Sequence, residues 1–143
     1  MAEQPRLMIA GLGSIGQRHL RNALQLGVDD VILYRTGLGT LSDDNFRDLT
    51  TETELEKALA HSPKGVVVSN PSALHLDVAI PAAASGSSIL IEKPLSNDLM
   101  RVPELERALE NLFKRHVGTP RRGRFHRAQS QAGSRAPGRQ DRH

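Results

Sequence analysis

A glycine-rich turn set between two apolar patterns constrains this chain more than any other feature. Leu7 to Ala10 form a short apolar run, Gly11-Leu12-Gly13-Ser14-Ile15-Gly16 follows at once, and residues 15–26 then repeat apolar side chains at helical spacing. Strand, tight turn and helix in that order form the setting in which this glycine spacing binds a dinucleotide. Gly11 permits the turn, Gly13 lets the backbone approach a pyrophosphate, and Gly16 lets the helix pack closely on the strand. The amides that open the helix, at Ser14 and Ile15, add the positive end of its dipole for the phosphates.

The rest of the chain repeats the alternation. Apolar runs at Val31–Tyr34, Gly65–Val68 and Ser88–Ile91 read as buried parallel strands. Helical patterns separate them, one ending at Gly27, where a left-handed cap is wanted. Another follows Asn70-Pro71-Ser72, carries Pro81 inside it and ends at Gly86; that proline predicts a kink. Phe46 to Leu49 reads as a short edge strand. Thr51 and Thr53 each stand three before a glutamate, Glu54 and Glu56, which predicts a capping box for a helix through Ala60. A last helix is expected to start with Pro103 at its first position and to bury Leu105, Leu109 and Leu112. The fold class is α/β, a doubly wound parallel sheet with helices on both faces.

The chain has 143 residues, 38% apolar and only 3% aromatic, so its core must be aliphatic. It has no cysteine, which removes disulfides and thiolate metal sites; no metal site is expected. No apolar run approaches membrane-spanning length and no signal peptide stands at the start, so a soluble, cytoplasmic protein is expected. Charge divides the chain at about residue 113. Residues 1–113 carry 10 basic and 15 acidic side chains, a net −5, whereas residues 114–143 carry 9 basic and one acidic, a net +8. The division predicts a Rossmann-like domain over 1–113 and a disordered Arg-rich tail over 114–143.

The second half of a dinucleotide site normally shows an acidic residue about 20 positions beyond the glycines, which accepts a hydrogen bond from the adenosine ribose. Nineteen positions after Gly16 this chain has Arg35, followed by Thr36. A guanidinium cannot accept that bond but pairs well with a 2′-phosphate, so the reading favours NADP over NAD. The alternative is a solvated arginine with NAD held by backbone alone.

Glu92-Lys93-Pro94 follows the run Ile89–Ile91, 76 residues after Gly16. With Gly11–Gly16, Asn70-Pro71 and His75, it makes the chain, over about residues 6–112, resemble the Gfo/Idh/MocA family of NAD(P)-dependent oxidoreductases. Pro81 within a helix and Ser87-Ser88 before the strand depart from that pattern. The resemblance implies that Lys93 sits beside the nicotinamide and substrate hydroxyl and assists proton transfer. A lysine at the carboxyl end of a parallel strand points into the ligand crevice, where partial burial would lower its pKa. Asn70, Pro71 and His75 would line the nicotinamide side, or His75 would be an ordinary residue at a helix start. Glu92 would orient the lysine loop. His19, three past the last glycine, reads as a helix-surface residue.

Family members continue into a second α/β domain that holds the substrate, a sugar, cyclitol or other hydroxyl compound. Nothing after Leu112 resembles it, nor is a sixth strand evident. The expectation is a truncated cofactor domain, inactive alone or completed by a partner chain, with Ser88–Ile91 as an open edge that invites self-association. For the tail, out-of-frame translation is favoured, then plain disorder; nucleic-acid binding is disfavoured because Phe125 is its one stacking aromatic. A non-enzymatic nucleotide-binding or interaction module with an Arg-rich contact arm is the alternative from another functional class.

Overall fold

In a computed structural model, which describes residues 4–37, 46 and 48–117, the strands are β1 (Leu7–Ala10), β2 (Val31–Tyr34), β3 (Thr50–Glu52), β4 (Gly65–Val68) and β5 (Ser88–Ile91). The helices are α1 (Ser14–Gln25), α2 (Leu55–Ala60), α3 (His75–Ser85) and α4 (Val102–Val117), with a 3₁₀ turn at Ser72–Leu74. All five strands run parallel in the order β3-β2-β1-β4-β5. The chain therefore reverses its direction of travel across the sheet between β1 and β4, and a doubly wound sheet opens its ligand crevice at such a point.

Register decides which residues meet there. Ala10 stands opposite Tyr34 on one side and Val68 on the other, and Val68 stands opposite Ile91. Four strands thus end level, and Gly11, Arg35, Ser69 and Glu92 emerge along one edge. The ladder continues into these residues. The Gly11 N–H donates to the Tyr34 carbonyl at 3.1 Å, Ser69 to Ala10 at 2.9 Å, and Glu92 to Val68 at 3.0 Å.

Side chains alternate between two buried faces because the strand period is two. Met8, Ala10, Ile32, Val66 and Val68 pack with Ala58 of α2, Leu76, Val78, Ala79, Ile80 and Ala82 of α3, and Leu105 of α4. Ile9, Val31, Leu33 and Val67 pack on the opposite face with Leu12 and with Leu20 of α1. Helices therefore cover both faces, as a sheet built of such apolar strands requires.

Several local expectations are corrected. The edge strand lies at Thr50–Glu52 rather than Phe46–Leu49, because that segment pairs with Ile32–Tyr34. Phe46 and Leu49 pack instead against the α1-side core, while Arg47 lies outside the described residues. Thr51 is therefore a strand residue, its hydroxyl donating to the Leu49 carbonyl at 3.3 Å, and α2 begins after Glu54 with no side-chain cap. Helix α4 starts at Val102, one before Pro103, and buries Leu105 but leaves Leu112 half-buried and Leu109 exposed. It ends at Val117, and the residues from 118 lie outside the described residues. Pro81 stands inside helix α3, where the sequence places it.

Gly27, with φ of +80°, holds the left-handed position after α1. Strand β5 stands at the sheet's edge. Among the described residues no helix is long and apolar enough to cross a membrane.

Leu20 is 0% exposed and Leu26, just beyond α1, is 83% exposed. Leu20→Ala should lower the unfolding free energy by about 2–5 kcal/mol. Leu26→Ala should change it by less than about 0.5 kcal/mol. Urea denaturation of both variants checks the assignment of the buried face.

Candidate functional site

Three backbone segments meet at the carboxyl edge with almost no room between them. A Cβ on Gly11, whose φ is +89°, would lie 2.6 Å from the Cα and N of Asn70. One on Gly16 would lie 1.9 Å from the Gly11 carbonyl oxygen and 2.9 Å from Ser69 Oγ. The first turn of α1 therefore packs on the turn after β1, and that turn on the loop after β4. The Ser69 hydroxyl fastens the junction, its one proton shared between the carbonyls of Ala10 at 3.0 Å and Gly11 at 2.9 Å.

Gly13 is different. Its φ of −65° suits any residue, and a Cβ there would meet nothing within 4 Å. The fold does not demand glycine at this position, whereas close approach of a ligand would. Gly13 is also the N-cap of α1, and the first turn holds no acidic residue. The leading N–H groups of a helix have no intrahelical acceptor, and they carry the positive end of its dipole. Ser14 and Ile15 are exposed there, while Gly16 is buried against the turn.

A cavity of about 650 Å³ opens beside this junction. Gly11, Gly13, Arg35, Thr36, Asn70 and Pro71 line it, all of them residues the sequence singles out. The apolar part of its wall, Leu12, Tyr34, Leu55, Leu74 and Val78, escaped sequence reading, because such residues look like ordinary core positions. Ser69 escaped as well, although its place directly after a strand end was a usable signal. Asp77 joins the wall and is paired with Arg101, just before α4, whose guanidinium is held above its ordinary pKa by the hydrogen bonds it donates to Glu104 and Asp77.

The Asn70 amide donates to the Leu74 carbonyl at 3.3 Å. Its Oδ1 is buried without a hydrogen-bond partner among the described residues. An unpaired buried acceptor is costly.

Beyond the cavity wall lies the lysine segment. Glu92 Oε1 is 2.5 Å from His19 Nε2 of α1. That hydrogen bond holds the Glu92 carboxyl below its ordinary pKa against the opposing effect of burial. The charge of His19 and the backbone N–H and ammonium of Lys93 act in the same direction as the bond.

His19 is therefore a partner of the second motif rather than a plain surface residue, because α1 packs beside the β5 turn. His75 is only 2% exposed, its Nδ1 2.9 Å from the Pro94 carbonyl and its Nε2 2.8 Å from the Asn70 carbonyl. It does not line the cavity; it sits beneath the two loops with one ring nitrogen against a backbone carbonyl of each, and a neutral ring donates to one of the two. The Lys93–Pro94 peptide is cis. Lys93 is exposed, so the described residues do not supply the partial burial expected for it.

Residues 6–118 match the family model of the Gfo/Idh/MocA oxidoreductases, described as an NAD-binding Rossmann fold. The chain belongs to this oxidoreductase family and carries its NAD-binding domain. It is similar to the WlbA dehydrogenase from Bordetella pertussis, solved in complex with NADH and UDP-GlcNAcA (23% identity, TM-score 0.66, 77% of this chain and 35% of that one). It is also similar to myo-inositol 2-dehydrogenase from Lactobacillus plantarum (24% identity, TM-score 0.66, 76% and 34%). A third is D-galactose-1-dehydrogenase from Rhizobium etli (22% identity, TM-score 0.61, 78% and 36%). The chain spans about a third of the length of these structures, and at such identities the likeness is one of fold. No curated protein matches the sequence.

The two glycines at the heart of the turn should separate stability from binding. Gly16→Ala forces a side chain into backbone and should cost about 1–3 kcal/mol or more of stability. Gly13→Ala should cost less than about 1 kcal/mol while weakening dinucleotide binding. Denaturant melts beside NADH titrations distinguish the two outcomes.

Proposed function

We propose that this domain binds NADP(H) in preference to NAD(H) and serves the oxidoreduction of a hydroxyl or carbonyl group on a sugar-like small molecule. The observation that carries the reading is the cavity at the strand-order reversal, where Gly13 is open to approach and Arg35 stands on the wall. The helix-start amides at Ser14 and Ile15 would hold the pyrophosphate. Arg35 and Thr36 would take a 2′-phosphate, and Asn70 and Pro71 would border the nicotinamide side. The apolar wall of Leu55, Leu74 and Val78 excludes water from a flat base. When bound, the nicotinamide exchanges a hydride with the substrate carbon.

Lys93 would move the accompanying proton at the substrate oxygen, a contribution of about 10²–10⁴-fold in rate. Glu92 keeps the lysine turn in place through its bond to α1. The sugar-like class is supported by the neighbours, one solved with a nucleotide sugar acid and two that are dehydrogenases of galactose and myo-inositol.

Calorimetric titration of the chain with NADPH and NADH tests the cofactor reading. NADPH should bind about 10–100-fold more tightly, the worth of a charge-assisted hydrogen bond set, and Arg35→Asp should abolish or reverse the preference. Equal affinities in the parent chain, or a preference untouched by the substitution, would overturn it.

We also propose that the exposed edge of β5 drives self-association. Leu90 on that strand is 48% exposed, and an edge that no other described strand pairs with presents a row of N–H and C=O groups to another copy. Sedimentation over a concentration series should show a rising mass, reduced by Leu90→Lys. A monomer at every concentration would overturn the edge assignment.

A further inference from the structure

The residues flanking Lys93 are both tied down, and by different parts of the fold. Glu92, on its N-terminal side, reaches His19 on α1 at 2.5 Å. Pro94, on its C-terminal side, offers its carbonyl to His75 Nδ1 at 2.9 Å. The other ring nitrogen of His75 is 2.8 Å from the Asn70 carbonyl, so one imidazole spans the loops after β4 and β5. The Glu92 N–H is also held by Val68 at 3.0 Å. Lys93 itself is exposed, so packing does not set its position; these bonds do.

The anchors are not arbitrary parts of the fold. His19 lies three residues beyond Gly16, on the helix whose N-cap, Gly13, lines the cavity. Asn70 lines the cavity directly. A segment that must present one amine to a ligand needs support from elements that also touch that ligand, since small displacements cost heavily in positioning.

We infer that His19 and His75 are positioning residues: His19 fixes the lysine segment to the phosphate-side helix, and His75 fixes it to the Asn70 loop, so that Lys93 is registered against the nicotinamide half of the cofactor. This rests on the reading of the cavity as a dinucleotide site. Neither histidine touches the ligand on this account. The adenosine half, held at Arg35 and the apolar wall, is independent of both.

The independence supplies the test. The 143-residue chain is titrated with NADPH and NADH, and with 2′-phospho-ADP-ribose and ADP-ribose, which lack the nicotinamide. Fluorescence of the bound reduced nicotinamide is recorded in parallel, because it reports ring immobilisation, which a loss of overall stability does not mimic at fixed occupancy.

His19→Ala should weaken the reduced dinucleotides by up to about tenfold, the worth of one Lys93 contact no longer held in place. It should leave the ADP-ribose compounds within about twofold and reduce the fluorescence gain. His19→Gln, whose amide can still donate to Glu92, should restore both. At the second anchor, His75→Asn preserves a donor toward Pro94 and His75→Gln one toward Asn70. The asparagine variant should retain more of the nicotinamide contribution.

His19 is only partly buried, so its variants decide the matter even where a His75 variant fails to fold. If the parent chain binds none of the four ligands, the cavity reading itself falls, and the inference with it. If all four bind and His19→Ala weakens them equally, or weakens none, the positioning role alone is overturned.

Discussion

Everything at the carboxyl edge depends on three backbones meeting where no side chain can stand. The Gly11 carbonyl would sit 1.9 Å from any Cβ at position 16, and Asn70 would sit 2.6 Å from one at position 11. Removing those two methyl groups lets α1 start directly on the turn after β1 and lets the β4 loop close over it. Ser69 then shares its hydroxyl proton between the two carbonyls that the close approach brings together. The geometry sets Gly13, the N-cap of α1, on the wall of the cavity.

The electrostatics of that crevice are local. Residues 1–113 carry a net −5, an unfavourable background for a phosphate ligand. The helix start, with no acid in its first turn, and Arg35 at the neighbouring strand end supply positive potential within a few residues of each other on the sheet edge. Oriented backbone dipoles act over the first turn of a helix and are little affected by distant charge in water. A net-acidic domain can thus hold an anion at one point. The basic excess of the whole chain lies in the sequence beyond residue 113.

Where the sequence misled, the reason was a neighbour it could not show. Thr51 has the spacing of a capping box, but β2 offers Ile32–Tyr34 as a pairing partner, so Thr50–Glu52 extends and α2 starts later. Phe46 and Leu49 are apolar because they cover the α1-side core, not because they pair. His19 reads as a surface residue until β5 brings Glu92 to it from 73 positions away. His75, a helix-start residue by spacing, is buried because two loops close over it. The apolar cavity wall of Leu55, Leu74 and Val78 was illegible for a related reason: burial in a core and burial against a ligand demand the same side chains.

By itself the sequence determined the alternation of strands and helices, the all-parallel sheet, the glycine turn and the residues that line its cavity from the strand ends. These follow from local periodicity and from steric rules that act within a few residues of one another. Only the tertiary structure decided that Ala10, Tyr34, Val68 and Ile91 end level, and that the two motifs are joined through His19 and Glu92. It alone decided that Lys93 stays exposed between two anchored neighbours. Register, burial and hydrogen bonds between distant segments depend on how whole strands and helices stack, and no local pattern encodes the distance between residues 19 and 92.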